Sequence, residues 1–448
     1  MSENYFDIII IGTGFRALVT SYLALKKNKK VLIISNSKDL SGVMGPITWK
    51  GGSFDKGYQF FDGIDKSQKL FLTKFVGNNL LHDFGYGAAT LTNNKILPGH
   101  SIPYWPHKGF FYSLKLTISH FLNYRSDIKD RINYAKSYKD LLELLPKITK
   151  KFLENECERI LGLNSSQVSY SLEKTLPKFC FRQSILPPNI SNFLKKKSNY
   201  LSSTIATTRN SLKLDCISLY PKGKNIGVAS DAMKKKIVDL GVKIINSNET
   251  KIFNLENNFI KVKSEKAVFK AKKIYVLTDL DDAVSLFTNK VSETKSIHYL
   301  PQIFYYFTSN KIKSKFQYVM NNNINNLVNR ANNHSLYGEK TENNKNVISA
   351  EVCDNKNEIL QKNPEKFIDK VWEELRSMQM VDKIEKISDY KIFKINKTLP
   401  IELINYSKTL KNLKLNISRN FNNQIKLPGL GIPFSRSNFL KMVKDEKF

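Results

Sequence analysis

The first 35 residues combine two apolar runs with one amphipathic stretch. Asp7 to Ile11 is a short run dominated by isoleucine, the pattern of a strand that is buried on both faces in a parallel sheet. A helical pattern continues through about Lys27, and Lys30 to Ser35 is a second apolar run. Strand, glycine turn, helix and strand within about 30 residues predict one βαβ unit.

The chain then leaves this rhythm and returns to it near Tyr220. Residues 85–215 mix short strands with helical stretches at 139–145 and 148–161. After Tyr220 the patterns predict a helix through about residue 240, a strand at 242–245, hairpin strands through 269 and a buried strand at 274–277. Further strands follow, with a helix near 364–378. We expect the Asn-rich tract 321–333 to be a surface excursion.

Length and composition indicate a globular protein with more than one core. The chain has 448 residues, which is more than a single core of about 250–300 residues holds, so two domains are expected. Hydrophobic residues make up 41% and charged residues 25%, as in ordinary globular proteins. Because no run approaches about 18 apolar residues and the N-terminus lacks a signal-peptide pattern, we expect no transmembrane segment and a cytoplasmic location.

The net charge of +31 comes from 71 Lys and Arg against 40 Asp and Glu. Lysine supplies most of the excess, spread along a chain rich in Asn and Ile, so a solvated surface explains it without a nucleic-acid partner. An anionic substrate or a membrane surface is the alternative partner. The Cys and His residues are scattered without ligand spacing, which predicts buried free thiols and no metal site.

The segment between the first strand and helix carries candidate chemistry. Gly12-Thr13-Gly14-Phe15-Arg16-Ala17 is a variant of the glycine fingerprint of dinucleotide-binding folds. The first Gly permits the tight turn, the second lets a pyrophosphate approach the backbone, and the small third residue lets helix pack on strand. The second strand ends in Ser35 and Asn36 where an acid normally accepts hydrogen bonds from a ribose, so a turn that no longer binds nucleotide stays open.

Four features together resemble the FAD-dependent amine oxidase, protoporphyrinogen oxidase and phytoene desaturase group, with UDP-galactopyranose mutase as a nearby relative. They are the βαβ unit, the turn at Ser41-Gly42 with the block Phe54-Asp55-x-Gly57-x-x-Phe60, the segment Tyr220-Pro221-Lys222-Gly223 with Gly227, and the strands at Thr250 to Ile252 and Lys273 to Thr278. The likeness covers residues 5–62 and 218–285.

The resemblance implies an α/β fold with a Rossmann-like FAD-binding domain and an inserted α+β substrate domain. It implies FAD as cofactor. The candidate cofactor contacts are then the fingerprint residues together with Ser35, Asn36, Gly42, Gly57, Tyr58, Gln59, Ile252 and Thr278. The implied division is 1–84, 216–295 and 411–448 for the FAD-binding domain, and 85–215 and 296–410 for the substrate domain.

The C-terminus departs from the family pattern because its Gly-Asp block is not evident. The chain closes on 427–435, whose glycines either bring backbone amides near a flavin, at a helix starting near Ser435, or form a plain turn. Tyr104, Trp105 and His107 either line a substrate pocket or form an ordinary aromatic cluster. The sequence identifies no catalytic residue.

Three functions follow from the resemblance. The first is an FAD-dependent oxidoreductase that removes hydride from a small organic substrate. The second is a redox-neutral flavin mutase acting on a nucleotide sugar. The third is a non-catalytic lipid- or protein-binding relative without flavin, similar to Rab GDP-dissociation inhibitors.

Overall fold

The computed structural model describes residues 4–98, 134–172, 217–287, 295–355, 359–431 and 435–446, apart from positions 86, 93, 145–146, 257–258, 266 and 445, together with isolated residues between 111 and 197. Its strands are β1 Tyr5–Ile11, β2 Val31–Ser35, β3 Ile47–Trp49, β4 Gly52–Phe54, β5 Phe61–Ile64, β6 Leu81–Asp83, β7 Ala88–Thr92, β8 Lys95–Pro98, β9 Ile217–Pro221, β10 Lys243–Asn246, β11 Thr250–Glu256, β12 Phe259–Ser264, β13 Val268–Val276, β14 Ile297–Ser309, β15 Tyr318–Asn321, β16 Val328–Asn333, β17 Asn346–Cys353, β18 Asp389–Glu402 and β19 Ile425–Lys426. Its helices are α1 Gly14–Leu25, α2 Lys66–Val76, α3 Tyr138–Leu142, α4 Lys147–Glu156, α5 Ile226–Asp239, α6 Leu280–Ser285, α7 Ile359–Lys362, α8 Ile368–Ser377, α9 Tyr406–Asn420 and α10 Arg436–Lys444.

The first sheet carries the predicted βαβ unit. Its order is β10-β2-β1-β13-β12-β11, and β19 also pairs with β13. The pairs β10–β2, β2–β1, β1–β13 and β13–β19 are parallel, whereas β11, β12 and β13 form an antiparallel meander. The carboxyl ends of the parallel strands therefore meet at one edge.

Both faces of this sheet are covered, which explains the continuous isoleucine run. Ile8 and Ile10 pack in one core with α1, α2, α5 and α10, and Ile9 and Ile11 pack in a second core with α6 and α9. Alternate residues of one strand thus enter two different cores.

The second sheet has the order β18-β14-β17-β16-β15-β7-β8 in the described part of the chain. One face packs against α8 through Tyr305, Phe307 and Trp372. The other face packs against the β3–β4 hairpin through Phe304, Tyr306 and Phe54. The segment that contains Phe54 and Asp55 therefore lies on the second sheet, while the chain before it belongs to the first.

The Asn-rich tract corrects one sequence prediction. We expected 321–333 to be a surface excursion, but Asn321 ends β15, and β16 includes Asn332 and Asn333, all three buried. Asn332 donates to Ser349 and to Glu351, so its amide is accommodated inside the sheet. The prediction fails for the residues in β15 and β16 and holds for the turn at 322–327, where Ile324 and Asn325 are exposed, because asparagine composition alone does not separate a loop from a strand.

The predicted βαβ elements are confirmed to within about two residues, and the helix predicted near Ser435 begins at Arg436. The mixed α/β fold with a Rossmann-like domain is likewise confirmed. The division at residues 84, 215, 295 and 410 stays a prediction. The candidate loop Tyr104, Trp105 and His107 lies outside the described residues. Among the helices that are described, none is long and apolar enough to cross a bilayer.

Candidate dinucleotide site

The glycine turn between β1 and α1 needs both of its glycines for different reasons. Gly12 has φ +140°, and a Cβ there would lie 3.0 Å from the backbone carbon of Leu277 in the segment after β13. Gly14 has φ +74°, but its Cβ would meet nothing closer than the Cα of Gly42 at 3.9 Å. Gly12 thus allows close packing on the protein itself, whereas a Cβ on Gly14 would make only ordinary van der Waals contact with the Ser41-Gly42 turn.

A second turn lies directly against the first. Gly14 donates its N–H to the carbonyl of Leu40 at 2.9 Å. Gly42 has φ +58°, and a Cβ on it would come within 3.2 Å of the Gly14 Cα. The Ser41-Gly42 segment, which the resemblance singled out, is therefore packed on the fingerprint turn.

The N-terminus of α1 keeps its positive end available. Thr13 is the N-cap in extended conformation and makes no side-chain cap bond within the described residues, and the first turn contains no acid. Ala17 is fully buried, so the small third residue lets α1 pack closely in the core. The ring centres of Phe15 and Phe61 lie 5.7 Å apart, so the start of α1 packs against β5.

Ser35 and Asn36 occupy the end of β2 in contrasting ways. Ser35 is only 1% exposed, and its hydroxyl donates to the Ser37 carbonyl at 2.9 Å and accepts from the Ser37 N–H at 3.0 Å. Asn36 is exposed. Of these two residues, Asn36 therefore carries the side chain that is open to a ligand at this strand end.

Gln59 connects the second turn with the C-terminal helix. Its amide nitrogen donates to the carbonyls of Val43 at 2.8 Å and Lys56 at 3.0 Å. Its amide oxygen accepts from Arg436 at 2.8 Å, and Arg436 also donates to the Phe60 carbonyl at 2.8 Å. The sequence did not identify Arg436, although an arginine in the first turn of a helix, against the helix dipole, was a usable signal.

The closing segment returns to the glycine turn. β19 extends the first sheet, and the Gly429 carbonyl after it accepts from Arg16 at 3.3 Å. The Arg16 guanidinium also lies 5.6 Å from the centre of the Phe439 ring in α10. We define the site frame as Gly14, Arg16, Gly42, Val43, Gln59, Gly429 and Arg436, which these contacts link into one rim.

Asp55 joins two motifs that are 165 residues apart. Its carboxylate accepts from the Tyr220 hydroxyl at 2.6 Å and from the Ile226 N–H, at the start of α5, at 2.8 Å. Burial raises the pKa of Asp55 to about 7, although both hydrogen bonds oppose that shift. The next residue, Gly227, has no room for a side chain, because a Cβ there would lie 2.5 Å from the ring of Pro46.

Tyr58 and Gly57 face the second sheet rather than the rim. Tyr58 is buried among Phe60, Phe84, Tyr318 and Tyr337, and its hydroxyl donates to Gln317 at 2.8 Å. Gly57 has φ +76°, and a Cβ on it would lie 2.5 Å from Oε1 of Glu351. Of the two adjacent candidates, the structure places Gln59 at the site frame and Tyr58 in an aromatic core.

The last two candidates are also separated. Thr278 follows β13 directly after Leu277, which contacts Gly12, so it lies at the same sheet edge as the turn. Ile252 is buried in the core beside β12 and α6, and its N–H donates to Leu286. Thr278 therefore joins the fingerprint residues, whereas the side chain of Ile252 belongs to the core.

Comparison with known proteins agrees with this geometry. Residues 10–75 match the family model of the NAD(P)-binding Rossmann-like domain. A reduced UDP-galactopyranose mutase superposes with a TM-score of 0.70 and 11% identity, covering 98% of this chain and 92% of its own. The chain has the fold of the FAD-dependent amine oxidase-like superfamily.

Two further solved structures superpose over nearly the whole chain. A protein of Exiguobacterium sp. 255-15 named as a protoporphyrinogen oxidase has a TM-score of 0.65, 13% identity and complete coverage of both chains. An engineered putrescine oxidase has a TM-score of 0.61 and 10% identity, covering 98% and 97%. Among curated proteins, no sequence matches this chain significantly. The likeness to the superfamily is therefore one of fold.

Part of the site suits the pyrophosphate of FAD, the cofactor of this superfamily. The N-terminus of α1 has no side-chain cap, and although the Gly14 N–H donates to the Leu40 carbonyl, the helix dipole and the next N–H groups form the arrangement that binds phosphates. The ribose end is weaker, because the Ser35 hydroxyl is engaged by Ser37 and no acid follows β2 directly. The residues present fit a pyrophosphate at the turn, and at the ribose end Asn36 is the exposed side chain.

Proposed function

We propose that this protein is an FAD-dependent oxidoreductase that removes hydride from a small organic substrate. The observation that carries the proposal is the site frame, in which the glycine turn, the Gly42 turn, Gln59 and the closing segment are joined by direct contacts. A dinucleotide with its pyrophosphate at α1 extends along such a rim. Bound flavin supplies the redox chemistry, and the protein's task is to position it and exclude water.

A redox-neutral mutase acting on a nucleotide sugar is the second candidate. It is favoured by the two arginines at the closing segment, Arg16 on Gly429 and Arg436 on Gln59, because a diphosphate substrate needs cationic partners. A solved UDP-galactopyranose mutase also shares the fold over 98% of this chain. The two candidates differ in that a mutase turns over without net transfer of electrons to an acceptor.

A flavin-free binding protein is the third candidate. The observation that favours it is Ser35, whose buried hydroxyl satisfies its hydrogen bonds within its own turn. A protein with no ribose to bind needs nothing more at that position.

The visible spectrum of the purified protein tests the proposal. We expect flavin absorption bands at about 370 and 450 nm, either in the protein as isolated or after reconstitution with FAD. Bleaching of the 450 nm band by an organic substrate under anaerobic conditions, with recovery on adding an electron acceptor, would support the oxidoreductase. Sugar isomerisation by the pre-reduced protein without an acceptor would support the mutase. A colourless protein that resists reconstitution would favour the binding protein.

A further inference from the structure

Arg436 occupies an electrostatically costly position. It is the first residue of α10, where the helix dipole already concentrates positive charge. Its guanidinium donates only to neutral oxygens, the Phe60 carbonyl and the Gln59 amide, and within the described residues no carboxylate lies at ion-pair distance. Burial lowers the pKa of Arg436 to about 10, which shows that the surroundings disfavour its charge.

Arg436 is partly buried, and a cation that has lost part of its hydration is stabilised when an anion is bound beside it. The nearest negative influence within the described chain is Asp55, which acts at longer range and whose own pKa is raised to about 7. Asp55 is also occupied by Tyr220 and Ile226. The guanidinium also lies 5.6 Å from the centre of the Phe61 ring, so the described residues offer Arg436 an aromatic face and neutral acceptors but no carboxylate at ion-pair distance.

The order of the first sheet fixes which end of a dinucleotide meets Arg436. The strand after the turn's helix, β2, lies on one side of β1, and the end of β2 receives the ribose of the adenosine half in this class of fold. β13 and β19 lie on the other side of β1. The remaining half of a dinucleotide then extends over that side, where β19 and Gly429 lie and where Arg436 contacts Gln59 of the site frame.

We infer that Arg436 is the positioning and charge-supplying residue that stabilises the reduced, anionic form of a bound flavin. The inference rests on the proposed function and deepens it. Two electrons and one proton reduce a flavin to a form with one negative charge on its ring. Because a nearby cation favours that form over the neutral oxidised ring, Arg436 raises the reduction potential.

Three variants separate charge from structure. Arg436→Gln removes the charge, and Arg436→Lys keeps the charge but loses the paired hydrogen bonds. Gln59→Glu places a carboxylate against Arg436 and so neutralises the charge, and it also loses the two hydrogen bonds that the Gln59 amide nitrogen donates to the Val43 and Lys56 carbonyls, a structural cost that the thermal midpoint reports. Arg419→Gln, on the exposed face of α9, is the matched control for the Arg436→Gln change.

The measurement is a spectroelectrochemical titration of the FAD-loaded full chain, with FAD affinity and thermal midpoint measured beside it. For Arg436→Gln we expect at least a tenfold loss in the preference for reduced over oxidised flavin, which is about 30 mV for a two-electron couple. Gln59→Glu should lower the potential in the same direction, whereas Arg436→Lys and Arg419→Gln should stay within about threefold of the parent, which is about 15 mV.

Other outcomes overturn the inference. Weaker FAD binding with an unchanged potential would make Arg436 a pyrophosphate contact. Equal effects of Lys and Gln, with lower thermal midpoints, would make it a structural anchor. If Arg436→Gln does not fold, a potential that does not fall in Gln59→Glu overturns the inference. A parent protein that binds no FAD overturns the proposed function itself, which is distinguishable because no variant is needed to see it.

Discussion

The Tyr220 hydroxyl lies 2.6 Å from one carboxylate oxygen of Asp55 and 3.1 Å from the Lys224 carbonyl. A phenol has one proton and cannot donate to both acceptors at once. If Asp55 is protonated, it donates to Tyr220, and Tyr220 donates to Lys224. The raised pKa of Asp55, about 7, agrees with that arrangement.

We therefore predict that Asp55→Asn is tolerated. The amide nitrogen donates to Tyr220 as the protonated acid does, and the amide oxygen still accepts from the Ile226 N–H. Asp55→Ala leaves that buried N–H without an acceptor and should cost about 1–3 kcal/mol. Urea unfolding at pH 7 measures both free energies, and an Asn variant as unstable as the Ala variant would contradict the protonated arrangement.

The same pair predicts a pH dependence with a definite sign. The folded pKa of Asp55, about 7, lies above its ordinary value of 3.8, so its contribution to stability is present below pH 4 and is lost as pH rises through about 7. The free energy of unfolding of Asp55→Asn minus that of the parent should rise by about 2–4 kcal/mol between pH 4 and pH 8. Buried His334, with a pKa near 3, acts with the opposite sign but cancels in this difference. A flat difference would show that Asp55 is ionised throughout.

Gly14→Ala should abolish FAD binding while the fold survives. A Cβ at Gly14 would make ordinary van der Waals contact with Gly42, 3.9 Å from its Cα, so the fold accommodates it, while the added methyl group hinders the close backbone approach that a pyrophosphate needs. The left-handed backbone, φ +74°, should cost about 1–2 kcal/mol. Gly241→Ala is the matched control, because Gly241 has φ +86° and open surroundings away from the turn. Thermal midpoints should fall alike in both variants, and only Gly14→Ala should lose FAD in a fluorescence titration.

Gly12→Ala should behave differently, because its Cβ would lie 3.0 Å from the Leu277 backbone. Loss of soluble protein is expected there. A folded Gly12→Ala protein with ordinary stability would contradict the packing described for this turn.

Glu351 provides a test of buried charge between the sheets. It accepts from both Nε and Nη2 of Arg330, at 2.9 and 2.8 Å, and is 3% exposed. Glu351→Gln keeps an amide oxygen as acceptor but removes the charge opposite Arg330, whose side chain is 28% exposed, and should destabilise the fold by about 1–3 kcal/mol. Asp83→Asn breaks the exposed pair with Lys69 and should cost less than about 1 kcal/mol. Similar losses in the two variants would contradict the assigned burial.

The sequence was sufficient to predict the local units and insufficient to predict how they meet. The isoleucine run, the glycine turn and the helix after Tyr220 follow from period and backbone geometry within one segment. The contact of Asp55 with Tyr220 and of Gln59 with Arg436 joins residues 165 and 377 positions apart, and no local pattern encodes such pairs. Tyr58 shows the same limit, since it and Gln59 lie in the irregular segment between β4 and β5, where no period indicates which of two neighbours faces the site.

Ser35→Glu tests which dinucleotide, if any, lies across the turn. Ser35 ends β2, and a glutamate there would extend past the strand end to accept from ribose hydroxyls in a charge-assisted bond, which should tighten FAD binding about tenfold. The change also removes the two hydrogen bonds with Ser37, so the thermal midpoint should fall. Ser35→Gln is the control, because it loses the same turn bonds and matches the glutamate in shape without its charge.

Titration of the parent protein and the two variants with FAD and with NADP separates the possibilities. Tighter FAD binding by Glu alone supports the flavoprotein, and selective loss of NADP binding by Glu indicates a nicotinamide enzyme, since its ribose phosphate would meet the new carboxylate. If neither ligand binds any of the three, no dinucleotide occupies this turn.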